Sequence, residues 1–255
     1  MKGASVILDW IGGREVAALV VDGRVEDFLA DPPEDAPPAP GTIFRAIVDR
    51  PMKGQGGSLV RLPGDSVAFL KRSGTLAPGK PVRVQVTGYA EPGKAPPVSE
   101  RLLFKSRYAI VTPDRPGINI ARSIRDDDRR DFLTVIGREE MAGSDMGLIL
   151  RSAAGWGDET AIREDIASMR ELAETIMGDD MAPTPERLLD APGAHDLAWC
   201  EWDRPEPYEV VRKAGALGHH GVIDALDALR EPEAVLSSGG TMSIEATRAC
   251  VAVDI

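Results

Sequence analysis

Five prolines crowd into the eleven residues Asp31–Gly41, DPPEDAPPAPG. Each fixes φ and removes a backbone donor, so neither a helix nor a central strand can run through this stretch, which reads as a linker. The chain is thereby divided near its start. Before the linker, SVILDW and EVAALVVDG are β-prone runs joined at Gly12-Gly13, the pair a tight hairpin turn favours. After it, TIFRAIVDR, GGSLVRLP, SVAFLK and VRVQVTGYAE are short strands separated by Gly, Pro and Asp, at a spacing of about ten residues typical of small antiparallel barrels. No internal repeat is present.

The 255 residues, 43% hydrophobic, suffice for one sizeable core or two to three small ones. No apolar run approaches the roughly 20 residues of a membrane span, and MKGASVILDWIGGREV meets charge and Gly-Gly too soon for a signal peptide, so the expectation is a cytoplasmic protein. Cys200 and Cys250 lack a Cys-x-x-Cys partner, which points to buried, reduced thiols rather than a disulfide or a zinc site. A net charge of −11 argues at first against a nucleic-acid partner. The basic charge is concentrated, however: Gly41–Arg138 holds 18 Lys and Arg against 9 Asp and Glu, while residues 139–255 hold 9 against 24. The middle third therefore either faces a polyanion or is a solvated surface.

Within that third, SVAFL makes Phe69 either a core residue or a stacking platform for a base, and EPGKAPP puts Lys94 in a turn where it is solvated or near a phosphate. ARSIRDDDRRDFL offers Arg122 and Arg125 as phosphate contacts, and its Asp126-Asp127-Asp128 suits a helix cap better than a metal cluster. RYAIVTP and MGLILRSAAGWG are apolar runs, the second closing in Arg151-Ser152 before small residues. That pair can grip an anion through charge-assisted bonds or be an ordinary strand end. GDETAIREDIASMRELAETIM spaces Ile162, Ile166, Met169, Ala173 and Ile176 as the core face of a helix, with Arg163 and Arg170 opposite. His219-His220 reads as the flank of a further helix, HGVIDALDALREPEA. Finally, a Gly-Gly turn leads into an apolar strand that delivers Asp254, a hard ligand for magnesium or a solvated turn residue.

LSSGGTMSIEATRACVAVDI resembles the segment of the ribonuclease E/G family that ends in the first catalytic aspartate. REVAALVVDGRVEDFLAD resembles the family's amino-terminal hairpin. GTIFRAIVDR, GGSLVRLPGDSVAFLK and VRVQVTGYAEPGKAPPVSERLLF resemble its inserted oligonucleotide-binding barrel, and SRYAIVTPDRPGINIARSIRDDDRR with MGLILRSAAGWG its sensor for the 5′ end of RNA. The resemblance implies a mixed α/β fold: a ribonuclease H-like framework (1–36 and 181–235) interrupted by an OB-fold RNA-binding barrel (41–98) and a 5′-sensor subdomain (99–180), followed by the start of a DNase I-like catalytic subdomain (236–255). It implies magnesium-dependent endonucleolytic hydrolysis of single-stranded RNA by a homo-oligomer. Phe69 and Lys94 would bind RNA, Arg151, Ser152, Ser106 and Ile110 would hold the 5′-monophosphate, and Asp254 would hold the metal. The family's zinc-binding Cys-x-x-Cys is missing, so no zinc is expected. Its second aspartate and its asparagine would fall beyond Ile255, so these 255 residues alone are expected to bind magnesium weakly and cleave RNA negligibly. The other readings are an RNA-binding relative without nuclease activity and a module whose basic barrel serves another anion.

Overall fold

The computed structural model describes residues 3–52, 54, 56–71, 76–203, 207–236 and 238–255. Two compact units result, one of Met1–Asp31 with Arg204–Ile255, the other of Pro32–Asp203. The first unit opens with an antiparallel meander, β1 (Ala4–Ile11), β2 (Arg14–Val21) and β3 (Arg24–Ala30). Both turns are two residues long and left-handed at each position: Gly12 and Gly13 at φ 60° and 81°, Asp22 and Gly23 at φ 51° and 81°. This is the mirror-image turn whose twist matches the flanking strands.

In the second unit, β4 (Ile43–Met52), β5 (Gly57–Arg61), β6 (Val67–Lys71), β7 (Pro81–Val86) and β8 (Pro97–Ser99) run in the order β4-β5-β6-β8-β7, and β7 pairs back onto β4. Five strands thus close a barrel without a free edge, the solution expected from the strand spacing. Alternation fills it: Ala68 and Leu70 of β6 and Val82, Val84 and Val86 of β7 point in with Phe44, Val60 and Val98. The three-residue β8, which starts at Pro97 directly after Pro96, is too short for a period-2 signal.

After the barrel come β9 (Phe104–Lys105), β10 (Ala109–Thr112), β11 (Gly117–Ile120), α1 (Asp127–Glu140), β12 (Gly147–Leu150) and α2 (Glu159–Met177). The sheet order is β11-β12-β10-β9. Phe104, Ala109, Val111, Leu148 and Leu150 form one core with Leu133 and Ile136 of α1 and Ile162, Ile166, Ala173 and Ile176 of α2. The apolar spacing of the second helix therefore does what it announces. Its start is set by Asp158, which accepts from Thr160 N at 2.9 Å, and α1 is capped by Asp126, which accepts from Arg129 N at 2.7 Å.

Residues 186–201 depart from the expected boundaries. β13 (Glu186–Leu189) pairs with β4, and α3 (Ala194–Glu201) stays in the second unit, so the first unit resumes at 204 rather than 181. The reason is Arg45 on β4, buried at 4% exposure. It donates to Asp179 Oδ1 and Oδ2 at 2.9 Å, to the carbonyls of Asp180 and Thr184, and to Glu186. Its neighbour across the ladder, Arg83, donates to the carbonyls of Met177 and Asp179. Two barrel cations thus satisfy the carboxyl end of α2 and tie the strand after it to the barrel.

Back in the first unit, β14 (Pro207–Arg212) lies parallel to β1, giving the order β14-β1-β2-β3. A short α4 (Ala216–His219) precedes His220, and of the helix expected over 220–234 only α5 (Val222–Ala228) forms, starting after Gly221 at φ 70° and ending before Glu233–Val235, which is a strand. Asp9 of β1 is 2% exposed and accepts from the backbone N–H groups of Gly215 and Leu217, each at 3.0 Å. Last comes an antiparallel sheet of β15 (Glu233–Val235), β16 (Thr241–Ala246) and β17 (Val251–Asp254), in which no residue is buried.

Candidate functional site

β12 ends at Leu150, and the chain turns there because Arg151 N donates to Tyr108 O at 2.8 Å before a single 3-10 turn, Ser152–Gly155. Arg129 of α1 braces that turn through the carbonyls of Ala154 and Gly157. The Arg151 guanidinium therefore leaves a rigid backbone. One of its ends donates to Ser106 O; the other lies 3.0 Å from Glu201 Oε2. Lys105 Nζ reaches the second oxygen of the same carboxylate at 2.5 Å. Two cations from β9 and the end of β12 thus hold one carboxylate from the last residue of α3. Ser152 is half-buried beside them, and its hydroxyl makes no hydrogen bond among the described residues.

Ser106 lines this site by a route the sequence does not reveal. It is buried, and its hydroxyl lies 2.6 Å from Asp165 Oδ2 of α2, which also accepts from Tyr108 N at 2.8 Å. The side chain fixes the Ser106–Ala109 turn, while its carbonyl faces Arg151. Ile110 sits on the sheet face away from the helices, in register with Lys105 and Ile149. Arg107 lies 4.0 Å over the Trp199 ring and donates to the Trp199 carbonyl at 2.5 Å, which anchors α3 and hence Glu201. Lys105, Ser106, Trp199 and Glu201 also border a cleft of about 740 Å3 with largely apolar walls, among them Leu103, Met169, Leu172 and Leu197.

Phe69 is not a core residue. It points out of β6 between the buried Ala68 and Leu70 and is half-exposed. Its ring lies across Gly57, where any Cβ would come within 2.8 Å of Phe69 Cζ and 2.4 Å of Leu70 O. The strand pairing sets Leu59 opposite Phe69, Lys71 opposite Gly57 and Arg61 opposite Val67 on that outer face. An aromatic flanked by two cations is what a base with its phosphates needs. Lys94, in contrast, is exposed and paired with Glu91 at 2.5 Å in its turn. Arg122 and Arg125 are exposed just before α1 and make no ion pair among the described residues.

Asp254 closes β17, opposite Ser243, and accepts from Ile255 N. It is exposed, and among the described residues no group of three or more His, Cys, Asp or Glu side chains stands close enough to hold a metal. Magnesium takes one or two carboxylates together with phosphate oxygens, so Asp254 is at most one ligand and does not by itself fit the ion. Cys250 corrects the expectation of buried thiols: it is exposed, in a turn closed by Thr247. Cys200 is partly buried, and burial pushes its thiol up to about 11, against the pull of Arg151. Both thiols are free.

The sequence leaves Lys105, Glu201, Arg61 and Lys71 unmarked. Strand alternation could have found Lys71 and Arg61, which share a face with Phe69. Nothing local joins Lys105 to Glu201, 96 positions later, because only the packing of α3 brings them together.

Residues 104–201, the span from β9 to the end of α3, match the sequence profile of the Ribonuclease E/G family. The chain is 29% identical over 116 residues to ribonuclease E of Nostoc sp., covering 45% of this chain and 17% of that protein. It is 28% identical over 111 residues to the probable ribonuclease FAU-1 of Staphylothermus marinus (42% and 23%), and 25% identical over 126 residues to that of Thermococcus gammatolerans (48% and 26%). The aligned part thus spans about a quarter or less of the length of these curated relatives.

Proposed function

We propose, for a chain whose residues 104–201 belong to the ribonuclease E/G family, that it serves a ribonuclease E/G-type endoribonuclease of single-stranded RNA and reads the 5′-monophosphate end. The observation that carries this reading is the joint grip of Arg151 and Lys105 on one carboxylate, with Ser152 the next residue in the chain. The site is already built for an anion of that size. A terminal phosphate offers three acceptor oxygens and a charge of about −1.5 to −2, more than a carboxylate can give the same two cations.

The barrel's outer face, with Phe69 between Arg61 and Lys71, takes the RNA strand in this reading, and its support is the placement of an aromatic and two cations on one surface. Arg122 and Arg125 are assigned to phosphates because they are exposed, and Ile110 and Ser106 to the wall of the 5′ site. For the first unit, a ribonuclease H-like framework is supported by three antiparallel strands with a fourth parallel to the first. The last sheet is assigned to the start of a DNase I-like subdomain on resemblance alone. Magnesium, when bound, would activate water and neutralise phosphoryl oxygens. Asp254 is the residue assigned to it, and it would supply one of the carboxylates that the ion takes together with phosphate oxygens. A cytoplasmic location and a homo-oligomeric state belong to the same proposal and rest on the resemblance.

The test is a titration of one oligoribonucleotide bearing either 5′-monophosphate or 5′-hydroxyl. The phosphorylated RNA should bind about tenfold more tightly, as one charge-assisted contact allows, and Arg151→Ala should erase the difference. Equal binding of both, by the unaltered protein and by a Glu201→Gln variant that frees the two cations, removes the reading.

A further inference from the structure

We propose that Glu201 is a built-in competitor for the anion site: its carboxylate occupies Lys105 and Arg151 in the RNA-free protein, and a 5′-phosphate must displace it to bind. The inference rests on the reading of Arg151 and Ser152 as a phosphate site, and adds to it how that site is regulated.

Three features make Glu201 an occupant rather than a fixed strut. It is the last residue of α3, where the helix dipole disfavours a negative charge, so the carboxylate is held by the two cations and not by its own helix. Its side chain is 36% exposed, and that of Lys105 is 44% exposed, so water can replace either contact. Arg151 has a second bond, to the Ser106 carbonyl, in which Glu201 takes no part, so one end of the guanidinium is held independently of the carboxylate. Displacement therefore costs two partly exposed ion pairs and no rearrangement of the sheet. The cost applies equally to every anion. Weak ones, such as a single internal phosphodiester, are held out of the site, while a terminal phosphate, with its extra charge and third oxygen, still enters.

The experiment uses the full chain in four forms: unaltered, Glu201→Gln, Arg151→Ala and the double variant. Each is titrated with the 5′-phosphorylated and 5′-hydroxyl RNA, and with inorganic phosphate as competitor. Glu201→Gln keeps the shape and removes the charge, and it should tighten 5′-phosphorylated RNA by roughly three- to tenfold, the range of two partly exposed ion pairs. Glu201→Ala should move affinity in the same direction, and inorganic phosphate should compete at correspondingly lower concentration. In the Arg151→Ala background the gain should vanish. A gain that persists there makes Glu201 a general repulsive charge and overturns the proposal. An unaltered affinity in Glu201→Gln, in a protein that still prefers 5′-phosphate through Arg151, overturns it too and leaves the phosphate reading standing. A 5′-phosphate preference that emerges only when Glu201 is neutralised supports it. No preference in any form rejects the phosphate reading itself, and the inference with it.

Discussion

Arg45 and Arg151 both hold carboxylates, yet one is a structural join and the other belongs to the proposed anion site. Arg45 has 5% of its side chain exposed and spends all three nitrogens on Asp179, Glu186 and two carbonyls. Arg151 has 16% exposed and commits one end to a backbone carbonyl, while its other end meets a carboxylate that Lys105 shares. The difference teaches how to separate fold from function among charged residues. A guanidinium held by two carboxylates and two carbonyls at once keeps its place when any one of them is lost, whereas Arg151 meets a single carboxylate, shared with Lys105, that a ligand can exchange. Burial makes the first costly to break, because removal of one partner leaves charges uncompensated.

Stability is where that contrast should be largest. Arg45→Ala would strand the Asp179 carboxylate and the carbonyls beyond α2, and should lower the thermal unfolding midpoint by on the order of 10 °C. Arg151→Ala should lower it by a few degrees at most. Scanning calorimetry on the two variants checks this, and the opposite ranking would break the comparison.

Within the barrel the same contrast separates inward from outward side chains. Phe69→Ala should weaken single-stranded RNA by about 1–3 kcal/mol if a base stacks on the ring. Its unfolding midpoint should barely move, since the ring lies outside the core over Gly57. Fluorescence anisotropy with labelled RNA, beside a melting curve, separates the two effects. A large loss of stability with unchanged affinity would return Phe69 to a packing role.

Carboxylates obey the rule as well. Asp9 is buried, and although burial alone would raise its pKa, the N–H groups of Leu217, Trp10 and Gly215 outweigh it and hold the carboxyl below the ordinary 3.8. Above the ordinary range it is charged in folded and unfolded chains alike, and its stabilisation is fully present. As pH falls towards the lowered value the unfolded chain takes the proton first, and the stabilisation is lost. Asp9→Asn should therefore be less stable than the unaltered protein at pH 7, with the gap closing below about pH 4. Denaturant unfolding at pH 7, 5 and 3 reads this, and a gap that widens in acid would reverse the sign.

How much of this was legible in the sequence follows from the range of the causes. Gly12-Gly13, the strand spacing of the barrel and the apolar positions of α2 act within a few residues, and the structure agrees with them. Arg151-Ser152 was visible because an Arg and a hydroxyl close an apolar strand. Its occupant was not, since Glu201 reaches Lys105 only through α3, and α3 follows a strand that Arg45 draws onto the barrel. The helix expected over 220–234 stops at Ala228, because Pro232 has no N–H to give it and Glu233–Val235 pairs with β16 instead. Asp254 was named by resemblance, and the sheet that carries it buries nothing, so packing adds no weight to it.

The smallest effect should come from Lys94, which sharpens the comparison from the exposed end. Its side chain is 67% exposed and its ammonium is already paired with Glu91, whose side chain is 71% exposed. A pair so open is worth little and is screened by salt. A phosphate approaching it meets two opposite charges rather than one cation. Lys94→Ala should therefore weaken RNA by less than about fivefold, evenly across sequences, and change the salt slope by less than the roughly 0.7 of one full phosphate contact. Glu91→Gln releases the ammonium and should tighten RNA, with the slope rising towards that value. Salt titrations of the two variants decide it. If Lys94→Ala costs as much as Phe69→Ala, then exposure and an existing partner are poor guides to which cations RNA can recruit, and the reading of Glu201 as an exchangeable partner loses its main physical support.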